Sequence, residues 1–237
     1  MRRGLAPSRE RAAELINGGF VTVAGAVADK PARLVAPGDP LLVQGPPRAF
    51  VSRGGEKLAA ALEQFDLAVD TKRALDAGAS TGGFTDCLLQ AGAREVVAVD
   101  VGYGQLHERL RADPRVDVRE RTNIRTLDAE ALGGAVDVVV ADLSFISLRT
   151  VANALLACAA PGADLVLLVK PQFEAGRVEV SKGKGVIRDP EVHARVLAEV
   201  CGAFEQLGAA IMGTMESPLK GADGNVELLL HARRGEG

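Results

Sequence analysis

Ten consecutive residues carry the densest chemistry in this chain. Asp76, Ala77, Gly78, Ala79, Ser80, Thr81, Gly82, Gly83, Phe84 and Thr85 follow a short apolar run that ends at Leu75. They open a pattern in which Phe84, Cys87, Leu88 and Ala91 recur at helical spacing. Val96, Val97, Ala98 and Val99 then deliver a second acid, Asp100. A strand, a glycine-rich turn, a helix and a strand ending in an acid form the layout of a nucleotide-type cofactor site. The acid at the loop entrance discriminates between cofactors. A pyrophosphate favours a helix N-terminus, where free N–H groups and the helix dipole attract anions. A carboxylate at Asp76 opposes that phosphate. S-adenosylmethionine has no phosphate and carries a sulfonium and an ammonium, so Asp76 fits it and disfavours a dinucleotide.

Four further ionisable residues stand out, two of them at the ends of apolar runs, where open parallel sheets bind ligands. Asp142 follows Val138, Val139, Val140 and Ala141, and Lys170 follows the run 165–169. Glu227 sits early in the final apolar segment, and Lys57 follows Arg53, Gly54 and Gly55. Each also has a plain structural reading. Asp142 could cap the next helix. Lys170 could pass its stem over a strand end into water. Glu227 could face solvent at an edge, and Lys57 could be an ordinary surface lysine. Placed around one sheet end, the four could support acid–base work, with a partly desolvated lysine as base. Residues 142–147 lack the Asn/Asp-Pro-Pro-aromatic motif typical of methyl transfer to base amino groups, so an oxygen acceptor is favoured.

The elements that must hold these residues alternate. Strands are expected at 74–76, 96–100, 116–119, 136–142, 165–170, 211–216 and 226–232, with helices over about 55–65, 83–91, 146–159 and 190–207. This is an α/β pattern with a mostly parallel sheet covered on both faces. The last two strands suggest an antiparallel hairpin at the edge. Before this lies a smaller module. Ser8 is a candidate cap for a helix reaching Ile16, Gly18 and Gly19 stop it, and strands are expected at 20–23 and 41–43. Residues 45–52 read as a stiff linker that begins with Gly45, Pro46 and Pro47.

Composition narrows the function. Nine Lys and Arg against five acids give residues 1–57 a charge of +4, which leaves −7 for the remainder of a chain whose net charge is −3. A basic module on an acidic body suits a polyanion. Arg177, Lys182, Lys184 and Arg188, interleaved with glycines, read as a mobile phosphate-contacting loop. Aromatic residues are only 3%, which disfavours an extended base-stacking platform. Cys87, Cys158 and Cys201 show neither metal spacing nor a redox pair and are expected as free thiols in the cytoplasm. No apolar run approaches a membrane span, and no signal peptide is expected. Nothing calls for a metal, and a monomer is expected.

These motifs resemble one family. Ser52, Arg53, Gly54, Gly55, Glu56, Lys57 and Leu58, the loop at 76–85, Asp100 to Leu106, residues 142–147, Leu168 to Glu174, and Gly224, Asn225, Val226 and Glu227 are similar to the TlyA (hemolysin-A-like) family. Its members are rRNA ribose methyltransferases with a catalytic domain like that of the FtsJ heat-shock methyltransferases. The resemblance covers nearly the whole chain. It implies a Rossmann-like class I S-adenosylmethionine-dependent methyltransferase with a seven-stranded, mostly parallel sheet at 53–237, and an alpha-L-type RNA-binding module at 1–44. It implies a Lys-Asp-Lys-Glu tetrad on Lys57, Asp142, Lys170 and Glu227. Cofactor contacts would come from Asp76, Gly78, Ala79, Ser80, Thr81, Gly82, Gly83, Phe84, Thr85, Asp100, Val101 and Asp142. RNA contacts would come from Arg2, Arg3, Arg9, Arg11, Arg53, Lys182, Lys184 and Arg188. The implied substrates are cytidine 2′-hydroxyls of ribosomal RNA, and the partner is the ribosome or its subunits.

Two departures bear on this. The family's module usually begins about one helix earlier, so an incomplete module is expected here. Phe50 also stands where close relatives often have Trp. In the expected reaction Lys170 removes the hydroxyl proton, Asp142 orients Lys170, and Lys57 and Glu227 position the sugar. The competing classes are a non-catalytic RNA-binding protein on the same scaffold, a pore-forming haemolysin and a small-molecule O-methyltransferase.

Overall fold

The structure, a computed structural model, describes residues 3–6, 9–44, 49–183 and 185–236, without the side chains of Glu10, Arg177, Val178, Lys182 and Ala222. The chain divides into two compact units, 1–48 and 49–237. The expected linker is thereby split. Residues 45–48 lie outside the described residues, and 49–52 belong to the second unit. There the Val51 amide donates to Asp86 Oδ2 at 2.8 Å, and Gln90 Nε2 donates to the Ala49 carbonyl at 2.9 Å.

The first unit contains α1 (Arg9–Asn17), β1 (Val21–Val23), β2 (Ala26–Val27) and β3 (Leu41–Val43), with the antiparallel order β2-β1-β3. Helix α1 presses Leu15 against Val21, Val23 and Ala28, and these four form the buried core. Ala24 and Gly25, at φ 49° and 83°, make the tight turn between β1 and β2, which is the turn geometry whose twist matches the strands it joins. The candidate cap Ser8 lies outside the described residues.

The second unit runs α2 (Gly54–Gln64), β4 (Arg73–Ala77), α3 (Gly83–Gln90), β5 (Glu95–Val99), α4 (Glu108–Arg111), β6 (Val116–Arg119), β7 (Val136–Ala141), α5 (Leu148–Cys158), β8 (Ala159–Val169), α6 (Pro171–Glu174), α7 (Arg177–Lys182), α8 (Pro190–Gln206), β9 (Ala209–Glu216) and β10 (Leu228–Arg234). Its seven-stranded sheet has the order β6-β5-β4-β7-β8-β10-β9. The first five strands in that order are parallel, and β10 runs antiparallel between β8 and β9. Alternate residues of the central strands serve opposite faces. Val139, Leu165 and Leu167 join a core with Leu155 of α5 and Phe204 of α8, whereas Val138, Val140, Val166 and Leu168 join one with Leu58 of α2 and Leu88 of α3. Burial on both sides accounts for the unbroken apolar runs. Each such side chain contributes ~1.5–3 kcal/mol.

The segment expected as a mobile loop at 177–188 is partly helical. Glu179 accepts the Gly176 amide at 3.3 Å and pairs with Arg195 of α8 at 2.7 Å, so this short helix is tied to a long one. The flanking glycines concealed that anchoring in the sequence.

Strand β4 leaves the sheet at Gly78, whose φ is +89° and where a Cβ would lie 2.6 Å from the carbonyl oxygen of Asp142. Only glycine fits both requirements. Gly78→Ala is expected to lower the free energy of unfolding by about 2 kcal/mol or more in urea denaturation. A loss below about 0.5 kcal/mol would show that the two strand ends do not meet this closely.

Candidate active site

The carboxyl ends of β4, β5 and β7 surround a cavity of about 470 Å³. Gly78, Ser80, Asp100, Val101 and Asp142 line it, as expected from the sequence. Ala79, Thr81, Gly82, Gly83, Phe84 and Thr85 do not, and they shape the loop instead. Phe84 packs into the core, and Thr85 is fully buried. Gly83 lies where a Cβ would strike Ser52 Oγ at 2.2 Å, so the starts of α2 and α3 touch. The lining also includes Gln105, residues 122–125 and residues 143–146. The stretch 122–125 went unnoticed in the sequence because it is a polar connection after an edge strand; its one cue is Asn123, whose Oδ1 accepts the Arg125 amide at 3.1 Å.

Asp76 is completely buried on β4. Its Oδ2 accepts from Thr85 Oγ1 at 2.6 Å, whereas Oδ1 has no hydrogen-bond partner. Burial pushes its carboxyl up to about 7; the Thr85 hydrogen bond opposes the rise, and the nearby charges of Asp142 and Asp100 add to it. Asp76 lies outside the cavity lining and acts on it through charge. Asp100 Oδ2 accepts the Ser80 amide at 2.8 Å, and its Oδ1 accepts the Gly102 amide at 2.6 Å. That carboxylate joins the two loops and keeps lone pairs for ribose hydroxyls. Three carboxylates, one of them buried and half-satisfied, make this a site for a cation. The residues therefore fit the sulfonium and ammonium of S-adenosylmethionine.

Beside the cavity the four expected catalytic residues form two ion pairs. Lys170 Nζ lies 2.5 Å from Asp142 Oδ1, and both side chains are largely buried. That contact is ionic without the angle of a hydrogen bond, since Asp142 Oδ1 receives no donor. Lys170 instead donates to Ser144 Oγ at 3.0 Å. Lys57 Nζ donates to Glu227 Oε2 at 2.5 Å, with both groups buried. The register that sets Leu228 against Val169 puts Glu227 and Lys170 one step further along, at the same sheet end. Gly221 leaves room for Glu227, because a Cβ there would sit 2.0 Å from its Oε1.

Two aromatic residues flank this end. Phe145 is 91% exposed with φ +64°, an uncommon backbone state for a bulky side chain. Its ring lies 5.1 Å from that of Phe173, and Lys170 Nζ lies 5.9 Å from the Phe173 ring. Both lie in segments that carry the family resemblance, but the sequence alone assigns neither a role.

The expected RNA-contacting residues have different surroundings. Arg3 donates to the carbonyls of Ala36 at 2.8 Å, Pro37 at 2.6 Å and Asp39, so its guanidinium closes a loop of its own unit. Arg11 pairs with Glu14 at 3.1 Å. Arg53 is half-buried at the start of α2, whereas Arg9 and Arg188 are exposed. Arg2, Lys184 and the side chain of Lys182 lie outside the described residues. Burial raises the Cys87 and Cys158 thiols to about 12 and about 11, which keeps them protonated and unreactive. No helix among the described residues is long and apolar enough to cross a membrane.

Comparison with known proteins agrees with this geometry. Residues 50–234 match the FtsJ-like methyltransferase model, and residues 2–41 match the S4 domain. The 16S/23S rRNA (cytidine-2′-O)-methyltransferase TlyA of Mycobacterium tuberculosis is 56% identical over 98% of this chain and 87% of its own length. Hemolysin A of Brachyspira hyodysenteriae is 40% identical over 96% of this chain and 95% of its own. A solved structure of a Streptococcus thermophilus protein assigned as a hemolysin superposes with a TM-score of 0.81 at 39% identity, covering 100% of this chain and 86% of that one. Identity at this level over nearly the full chain, on a sheet whose carboxyl end holds the glycine-rich loop and this cavity, places the protein in the TlyA family of FtsJ-like, S-adenosylmethionine-dependent methyltransferases.

Proposed function

We propose that this protein methylates the 2′-hydroxyl of a cytidine ribose in ribosomal RNA. The observation that carries this reading is the Lys170–Asp142 pair beside the donor cavity, in register with Lys57 and Glu227. A base amine would need its lone pair oriented by backbone and amide acceptors, whereas a ribose hydroxyl must lose a proton. The names of the relatives support the same substrate, and the S4 match supports an RNA partner.

Bound S-adenosylmethionine supplies an electrophilic methyl group and a positive charge. Gly78, Ser80, Asp100 and Val101 would hold it, and Asp76 and Asp142 would balance its charge. Asp142 stands 2.5 Å from Lys170 Nζ and orients it, and in its uncharged form that nitrogen is the base. Lys170 then takes the hydroxyl proton and regains its charge as the sulfonium loses its own. The pocket's net charge is the same before and after transfer. Lys57 and Glu227 neutralise each other and are placed to orient the hydroxyl. Most of the acceleration comes from alignment. Phe145, projecting beside Lys170, offers a face on which one base can stack.

Lys170→Ala is expected to reduce methyl transfer to ribosomal subunits at least a thousandfold, by loss of both base and ion pair, while donor affinity from calorimetry changes by less than about threefold. Turnover near that of the wild type would remove Lys170 from the mechanism. A second expectation concerns pH. Asp76 has a carboxyl raised from the usual carboxylate range to about 7, so the free protein loses stability as pH rises from about 4 to about 7. A bound cation favours the ionised form, and donor affinity therefore rises about five- to tenfold between about pH 6 and pH 8. Asp76→Asn removes that rise. A flat pH dependence in the wild type would contradict the assignment.

A further inference from the structure

Glu174 is a buried carboxylate that the mechanism leaves unused; it is 5% exposed and stands four residues after Lys170. Its Oε2 accepts from Ser147 Oγ at 2.5 Å, and its Oε1 accepts from the Leu148 amide at 2.6 Å. Arg149 closes the arrangement. Its Nη2 donates to the Glu174 carbonyl at 2.8 Å, its Nε lies 3.4 Å from the carboxylate, and its Nη1 reaches Glu199 of α8 at 2.7 Å. Ser147 also caps α5 by accepting the Arg149 amide at 3.2 Å.

These bonds join two segments that are far apart in sequence. One is the connection 142–147 from β7 to α5, which carries Asp142, Ser144 and Phe145. The other is 170–174 after β8, which carries Lys170 and Phe173. Three contacts around Lys170 cross between them: Lys170 to Asp142, Lys170 to Ser144, and Phe145 to Phe173. Those contacts face the cavity or solvent, and the Asp142 carboxylate itself meets Lys170 through one ionic contact. Glu174 binds the same two segments behind them, out of water. A buried carboxylate on a helix N-terminus and an arginine is the stronger tie.

We propose that Glu174 is a positioning residue for the methyl transfer, acting as a clasp that holds Asp142 and Ser144 against Lys170. The proposal rests on the reading of Lys170 as the base. Glu174 touches neither donor nor acceptor. Without the clasp, the connection shifts beyond the Asp142 amide, which stays on the Ala77 carbonyl, and the Asp142 carboxylate turns away from Lys170. The charged groups around Lys170 are Asp142 and, across the continued β8–β10 register, Glu227 with its partner Lys57. With Glu227 already neutralised by Lys57, Asp142 is the anion whose loss Lys170 senses.

The test compares Glu174→Ala, Glu174→Gln and Ser147→Ala in the full-length protein, with two readouts. The first is amide hydrogen exchange without substrate. Glu174→Ala should speed exchange at least tenfold in peptides covering 142–148 and leave those of β4 and β5 unchanged, with Glu174→Gln close to wild type and Ser147→Ala between. Unaltered exchange at 142–148 overturns the clasp whatever the activity. The second is the pH profile of kcat on ribosomal subunits. Glu174→Ala should lower the plateau about tenfold or more and move the rising limb to lower pH, and Glu174→Gln should restore the limb. A lowered plateau with an unmoved limb overturns the action through Lys170. Should wild-type protein and Lys170→Ala turn over alike while exchange at 142–148 still rises in Glu174→Ala, the clasp stands and the base assignment falls. If Glu174→Ala does not fold, the smaller lesion in Ser147→Ala decides by the same two criteria.

Discussion

Asp142 is held on three sides, and the site depends on that confinement. Its amide donates to the Ala77 carbonyl at 3.1 Å, which keeps β7 in register with β4 to the last residue. Its own carbonyl lies so close to Gly78 that no side chain fits between them. Its carboxylate meets Lys170 at 2.5 Å. One residue therefore forms part of the cavity wall, fixes the exit of the glycine-rich loop and carries the counter-charge of Lys170, the proposed base. The neighbouring parallel strands provide the rigidity, since their inner residues are buried on both faces. Placing catalytic groups at the ends of such strands limits their motion more than a loop scaffold would.

Charge then decides what this geometry can bind. Asp76, Asp100 and Asp142 give the cavity a negative bias, and the burial of Asp76 without a second hydrogen bond leaves a demand that a cation meets. The catalytic groups beyond it are arranged as two neutral pairs, so a polyanionic acceptor is not repelled by uncompensated acids. Most of the basic surplus of residues 1–57 belongs to the first unit's sequence, 1–48. The division of labour matches an enzyme that collects RNA with one unit and acts on it with another.

Much of this was legible in the sequence because the signals were local. Periodicity and glycine placement located β4, β5, β7, β8 and the loop between β4 and α3, and the resemblance named Lys57, Asp142, Lys170 and Glu227. What stayed hidden depends on distance through space. Which acid pairs with which lysine follows from strand order, and Glu227 comes beside Lys170 because β10 inserts between β8 and β9. Arg3, expected as an RNA contact, also closes a loop of its own unit, and its three carbonyl partners lie more than thirty residues away. The exposure of Phe145 and the burial of Glu174 are equally invisible, since both sit in short polar segments without periodicity. Residues 49–52 looked like linker and fold with the catalytic unit, because Asp86 takes up the Val51 amide from a helix thirty-five residues further on.

The central claim is that the lysine–aspartate pair removes a proton from a sugar hydroxyl, so the methyl must arrive on oxygen. The direct measurement is to incubate the purified protein with ribosomal subunits and methyl-labelled S-adenosylmethionine, digest the RNA to nucleosides and locate the label by mass spectrometry. The account predicts label on the ribose of cytidine, as 2′-O-methylcytidine. Label confined to a base would contradict it.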